Sequence, residues 1–202
     1  RCLRHRDQSS HRAQGGVIMG VYHLLVQSFP IVLWNTAFLF ILIRVFSDGS
    51  LAQSLAKAVT TLIFLGVLGG VVTYALGFLV WPWGALSSSP LGRNHFLLAT
   101  WTVDYWTVLL IFVWRLGDAL WRGATRWITL LLSAFGVVLL NITGTLGGSV
   151  AHNASAVSDV VRYVLGWEIY TTFYSPDPIL WMMVLVSAVL IGIGVWGTRR
   201  YV

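Results

Sequence analysis

The sequence predicts an all-α integral membrane protein, a helix bundle of about five transmembrane helices plus one short interfacial amphipathic helix. Three observations predict it. Of 202 residues, 57% are hydrophobic and only 10% charged, with a mean hydropathy of +0.78. A water-soluble domain carries roughly a quarter charged residues, so this chain is too poor in charge to coat itself against water. Five apolar runs approach the ~20 residues that cross a bilayer core as a helix, the form that satisfies its backbone within the segment. The chain also holds 11 Trp, a residue that with Tyr favours headgroup depth, where ring and N–H are both accommodated.

Residues 1–18 are rich in Arg, His and Ser without apolar period, and read as a basic tail, either disordered or a gene-start artefact ahead of Met19. The first span runs from Met19 to Phe46 and contains Pro30. The second runs from Leu51 to Val80 and ends at Trp81-Pro82-Trp83; the third from His95 to Trp114; the fourth from Arg126 to Gly148. These spans form a four-helix core over residues 19–154. A connecting segment, 155–178, carries Val157, Val160, Val161, Val164 and Leu165 at helical spacing, with Asp159 and Arg162 on other faces, and predicts a short helix on the membrane surface. Ser175-Pro176-Asp177-Pro178 then turns the chain into a fifth span, Ile179 to Trp196, and residues 179–202 read as this fifth transmembrane helix with a short basic C-terminus at Arg199-Arg200. No internal repeat is visible in the sequence.

The formal net charge of +6 sits at the ends of apolar runs, where it sets topology, and not along a solvated face that would bind nucleic acid. Arg44, Lys57, Arg115, Arg122, Arg126, Arg199 and Arg200 fall on one side of the membrane; Arg93 and Arg162 fall on the other, with the tail arginines. The first side is expected to be cytoplasmic, the C-terminus with it, in a bacterial inner membrane. The single cysteine, Cys2, excludes a disulfide framework and Cys-ligated metal within the chain. Asn153-Ala154-Ser155 matches a glycosylation sequon, a match too cheap to use.

Two small-residue stripes stand out: Gly66, Gly70, Thr73 and Gly77 in the second span, and Gly136, Gly144, Gly147 and Gly148 in the fourth. They predict close helix packing, or alternatively room for a flat cofactor. Following the chain across the bilayer places His23, His95 and His152 in one layer, toward the expected periplasmic face. Two imidazoles at one depth can ligate a haem iron, three can hold copper or zinc, and interfacial histidines can equally sit among headgroups and bind nothing. Asp104 lies about 14 Å below His95, Asn35 about 18 Å below His23 and Asn141 about 16 Å from His152, at the helical rise. These three are expected to converge near mid-membrane, with Asp104 either a hydrogen-bonded strut or a proton or quinone contact. There is no phosphate-cradling Gly loop, no pair of catalytic carboxylates and no Cys-x-x-Cys-His haem attachment. No catalytic residue is assigned, and an electron-relay or non-catalytic subunit is expected over a self-contained enzyme.

Three motifs carry a resemblance: His23-Leu24-Leu25-Val26-Gln27-Ser28-Phe29-Pro30, Arg93-Asn94-His95, and Thr143-Gly144-Thr145-Leu146-Gly147-Gly148-Ser149-Val150-Ala151-His152. In order and spacing they resemble a widespread bacterial family of four-helix membrane proteins known as a domain of unknown function. That family opens on a His-Pro-Leu-Leu-Val-His-Phe-Pro-like stretch and closes on Thr-Gly-x-x-Gly-Gly-x-x-Val followed by a His. The similarity covers roughly residues 19–154, so the fifth helix looks like an addition. Ser28 stands where the family has a second histidine, and His152 about two residues before its closing one. Some members are found beside or fused to c-type cytochromes, so the resemblance implies a redox setting. The leading expectation is a membrane subunit of a respiratory or electron-transfer complex, with haem b on His23 and His95, or on one of them and His152. Bound lipid or quinone, other membrane subunits and a periplasmic cytochrome are the expected associates. The rivals are a structural subunit that stabilises a larger complex, and a small transporter with Asp104 in its path.

Overall fold

The computed structural model describes residues 2–151, 156–164, 166, 181–189 and 192, with side-chain surroundings from Tyr22 onward. The helices are α1 (Cys2–Phe46), α2 (Ser50–Val80), the single turn α3 (Trp83–Leu86), α4 (Pro90–Leu116), α5 (Gly123–Val150) and α6 (Ala156–Tyr163), with a 3₁₀ turn at Gly117–Trp121. Residues 181–189 are also helical.

Four segments are long and apolar enough to cross a membrane: Tyr22–Phe46, Ser50–Val80, Pro90–Trp121 and Gly123–Val150. They match the first four expected spans to within a few residues at most ends. The largest difference is the third, which starts at Pro90 and not at His95. Ser89 is its N-cap, its hydroxyl accepting from the Gly92 N–H at 3.1 Å, and Pro90 follows at the first helical position. That pairing starts helices because the side chain satisfies an orphan donor and proline has none to lose. Of the fifth expected span only 181–189 and 192 lie among the described residues. α1 continues upstream of the first span to Cys2, through the stretch read as a tail.

Short links make neighbours antiparallel. α1 packs on α2 and α4 on α5, while α1–α5 and α2–α4 contacts close the square. The buried centre is aromatic and branched: Trp34, Ile41, Val59, Ile63, Trp106 and Val113. The outer surface is apolar too, with Leu51, Leu79 and Leu131 each more than two-thirds exposed. An apolar rim of this extent suits a chain whose solvent is lipid. On α6 the exposed side chains include Val157, Val160, Asp159 and Arg162, while Ser158 turns inward to the Ser149 hydroxyl at 3.3 Å. This helix lies within the segment expected to hold the short surface helix.

Candidate functional site

His23 lies at the start of the first membrane span, in mid-α1, and His95 near the start of α4, and both border one cavity of about 100 Å³ between α1, α2, α4 and α5. Trp34 forms part of its wall, with Trp81, Phe96 and Thr143. The His23 imidazole meets the Trp81 ring edge-on, centroids 5.2 Å apart, and is buried. Its Nδ1 has no hydrogen-bond partner among the described residues, and neither has Nδ1 of His95. His95 is held by a hydrogen bond to the backbone of Thr143. With Nδ1 unpartnered, that bond falls to Nε2–H donating to the carbonyl, which leaves the Nδ1 lone pair as an acceptor. An imidazole anchored through one nitrogen, with the other presented to a cavity, is posed to hold a ligand.

The glycine stripes fit around rings. A Cβ on Gly66 would lie 2.3 Å from Trp34 Nε1, and one on Gly70 2.9 Å from Trp34 Cη2. Gly136 stands equally close under Trp106, at 3.0 Å, while Gly77 borders His23 at 3.5 Å and Gly147 borders His95 at 2.8 Å. Trp34 and Trp106 stack on each other, centroids 5.1 Å apart and planes within 4°. Each indole N–H donates to a carbonyl of the following long helix, Trp34 to Ile63 at 3.3 Å and Trp106 to Gly136 at 3.2 Å. The small residues thus give close packing, but of tryptophan and histidine rings into helix backbones.

This arrangement occurs twice. His23 precedes Trp34, and His95 precedes Trp106, by the same interval, three helical turns on one face. Gly66 and Gly77 serve the first pair, and Gly136 and Gly147 the second, again at that interval. The two hairpins therefore repeat one motif too sparse to register as sequence similarity. Both histidines lie at the same end of the bundle. The cavity lies where the two copies meet.

Other expected site residues are not gathered here. His152 lies outside the described residues, and among those described no group of three or more His, Cys, Asp or Glu could hold a metal ion. The mid-membrane convergence does not form. Asn35 Nδ2 donates to its own helix at Ile31 O, 2.7 Å, and Asn141 Nδ2 does the same at Val137 O, 2.8 Å, from an exposed position. Equal depth does not mean equal azimuth, and a lone amide in a helix satisfies itself on the preceding turn. Asp104 meets Ser187 of the segment 181–189, away from the cavity. Arg93, assigned to a loop, is buried, with Nε donating to Ser87 O at 2.8 Å.

Of the residues beside the cavity, Tyr74, Thr100 and Thr102 carried no sequence signal of their own, whereas Thr143 opens the closing motif. Thr102 and Thr143 join α4 to α5 through their hydroxyls at 2.7 Å, and Tyr74 joins α2 to α4 through Thr100 at 2.8 Å. The stripe His23, Gln27, Pro30, Trp34, at one-face spacing and all lining the cavity, could have been found.

A family model described as "Predicted membrane protein (DUF2231)" matches residues 22–159, nearly the stretch over which the motif resemblance runs. No curated protein and no solved structure matches the chain.

Proposed function

The chain belongs to the DUF2231 family of predicted membrane proteins, and we propose that it is a membrane subunit of an electron-transfer complex that binds a quinone head group between His23 and His95. The observation that carries this is the pair of buried Nδ1 atoms, neither with a partner among the described residues, bordering one largely apolar cavity. A buried polar atom left unsatisfied costs about 1–3 kcal/mol. A purely structural bundle would bear that twice for no return. A ligand that is flat, apolar and polar at two opposite points removes both penalties, and a para-quinol is such a ligand. Its two oxygens would take one imidazole Nδ1 each.

The donor set alone would also suit a haem iron, since two neutral imidazoles are a common axial pair. The space does not. A cavity of about 100 Å³ is well under the ~300 Å³ at which pockets for whole drug-sized ligands begin. It takes one six-membered ring, with a tail leaving between helices into lipid. Trp34 blocks the floor, fixed by its glycine notch and its stack on Trp106.

In this reading His95 accepts a hydrogen bond from a quinol hydroxyl at Nδ1, held for it by the Thr143 anchor. Oxidation of the quinol to the quinone releases its two hydroxyl protons, one to Nδ1 of His95 and one to Nδ1 of His23, while its two electrons pass to a redox centre on a partner subunit. Asp104 does not line the cavity, so a transport path has no carboxylate to use there. The loop charge pattern supports a bacterial inner membrane with the histidine end periplasmic.

The test is binding of decylubiquinol to the purified complex, read by quenching of tryptophan fluorescence and set beside a pyridine haemochrome assay. Wild type should bind, and His95→Phe should weaken binding about tenfold, the loss of one hydrogen bond. Equal quenching in wild type, His23→Phe and His95→Phe would end the quinone reading. A b-type haemochrome belonging to this chain would replace it with haem.

A further inference from the structure

At the opposite end of the bundle a second cavity, about 500 Å³, opens between the end of α1, the start of α2 and the 3₁₀ turn. Its character is the reverse of the first. Arg44, Lys57 and Arg122 line it, with Thr60, Trp121 and a single carboxylate, Asp118. Arg44 is already engaged: it pairs with Asp48, donates to Ser47 O at 3.2 Å and lies 5.7 Å from the Trp121 ring centroid. Lys57 and Arg122 have no ion pair among the described residues. Lys57 stands two turns inside α2 and can reach this cavity by extending its alkyl stem along the helix, its ammonium toward water.

We propose that this vestibule binds a phosphate-bearing anion between Lys57 and Arg122, presented by an anionic phospholipid headgroup. Two cations from separate elements converge on a water-accessible recess large enough for a phosphodiester. Thr60 adds a hydroxyl donor to the same wall. Arg122 offers the planar fork that matches phosphate oxygens, and Lys57 a point charge. A lipid whose headgroup sits in this recess could lay its acyl chains along the outer face of α2, where Leu51, Phe64, Leu65 and Leu68 are exposed. Basic recesses between helices at a membrane surface are recurrent sites of this kind. A soluble phosphate compound has the same headgroup chemistry, and experiment separates the two.

The full chain, purified in neutral detergent, is titrated with phosphatidylglycerol or phosphatidylcholine and read by native mass spectrometry. Phosphatidylglycerol should be retained and phosphatidylcholine not. Lys57→Gln and Arg122→Gln should each weaken retention about fivefold. Arg115→Gln removes an exposed cation of the same membrane face outside the recess and should change nothing. Millimolar inorganic phosphate that displaces the lipid would keep the site but move its source to a soluble phosphate. Unchanged retention in both glutamine variants, or an equal loss in Arg115→Gln, would overturn the site. Should Lys57→Gln fail to fold, Lys57→Arg must retain binding and Arg122→Gln alone must lose it. The recess lies at the far end from the histidine cavity, so either proposal can fail without the other.

Discussion

Replacing Gly66 by alanine tests whether rings seated in glycine notches hold the bundle together. The added Cβ would lie 2.3 Å from Trp34 Nε1, 2.5 Å from Cδ1 and 3.0 Å from Cε2. Trp34 cannot swing aside: it is 1% exposed, stacked on Trp106 and bonded to Ile63 O. Overpacking of a tight interior costs about 1–3 kcal/mol, and a contact this short belongs at the upper end. Loss of the indole hydrogen bond adds about 1 kcal/mol. Alanine's better helix propensity returns about 1 kcal/mol, leaving a net destabilisation of about 3 kcal/mol. Gly144 supplies the control, because a Cβ there meets nothing within 4 Å. Gly144→Ala should be neutral, or more stable by up to about 1 kcal/mol. Equilibrium unfolding in mixed micelles, followed by tryptophan fluorescence, measures both. If Gly66→Ala proves as stable as Gly144→Ala, the notch carries no packing energy and the account of the stripe is wrong.

Two further outcomes follow from the same coordinates. Gly92→Ala should be at least as damaging as Gly66→Ala: its Cβ would lie 2.2 Å from the backbone oxygen of Leu86, which no rotamer change relieves; a thermal melt of the purified variant checks this. Asp104→Asn should leave stability within about 0.5 kcal/mol of wild type, because the amide keeps an acceptor for Ser187 and removes a costly intramembrane carboxyl; a drop of more than about 2 kcal/mol in micelle unfolding would show that the acid itself is needed.

What the sequence disclosed was set by one-dimensional signals. Span positions were legible because bilayer thickness imposes a run length, and Tyr22–Phe46 or Gly123–Val150 can be read from that run alone. The common depth of His23 and His95 was legible because alternating spans fix which end of the membrane a residue occupies. Azimuth was not. Whether Asn141 faces lipid or the bundle depends on how α5 is rotated against α4, and nothing in a uniformly apolar helix marks that rotation. The start of α4 is encoded by Ser89-Pro90, a capping signal that lies ahead of its first long apolar run.

The stripe on α2 shows why rotation is the missing quantity. Gly66, Gly70 and Gly77 mark a smooth face, and sequence offers two occupants for it, a neighbouring backbone or a flat ring. The occupant is a ring, but one that the chain supplies itself, and it comes from the face of α1 that also carries His23. One rotation of α1 therefore seats Trp34 in its notch and turns the His23 imidazole toward the cavity. α4 repeats the coupling with Trp106 and His95. The stacked indoles thus fix the azimuth of both histidines, and the packing that stabilises the bundle is also what presents its two unpartnered nitrogens.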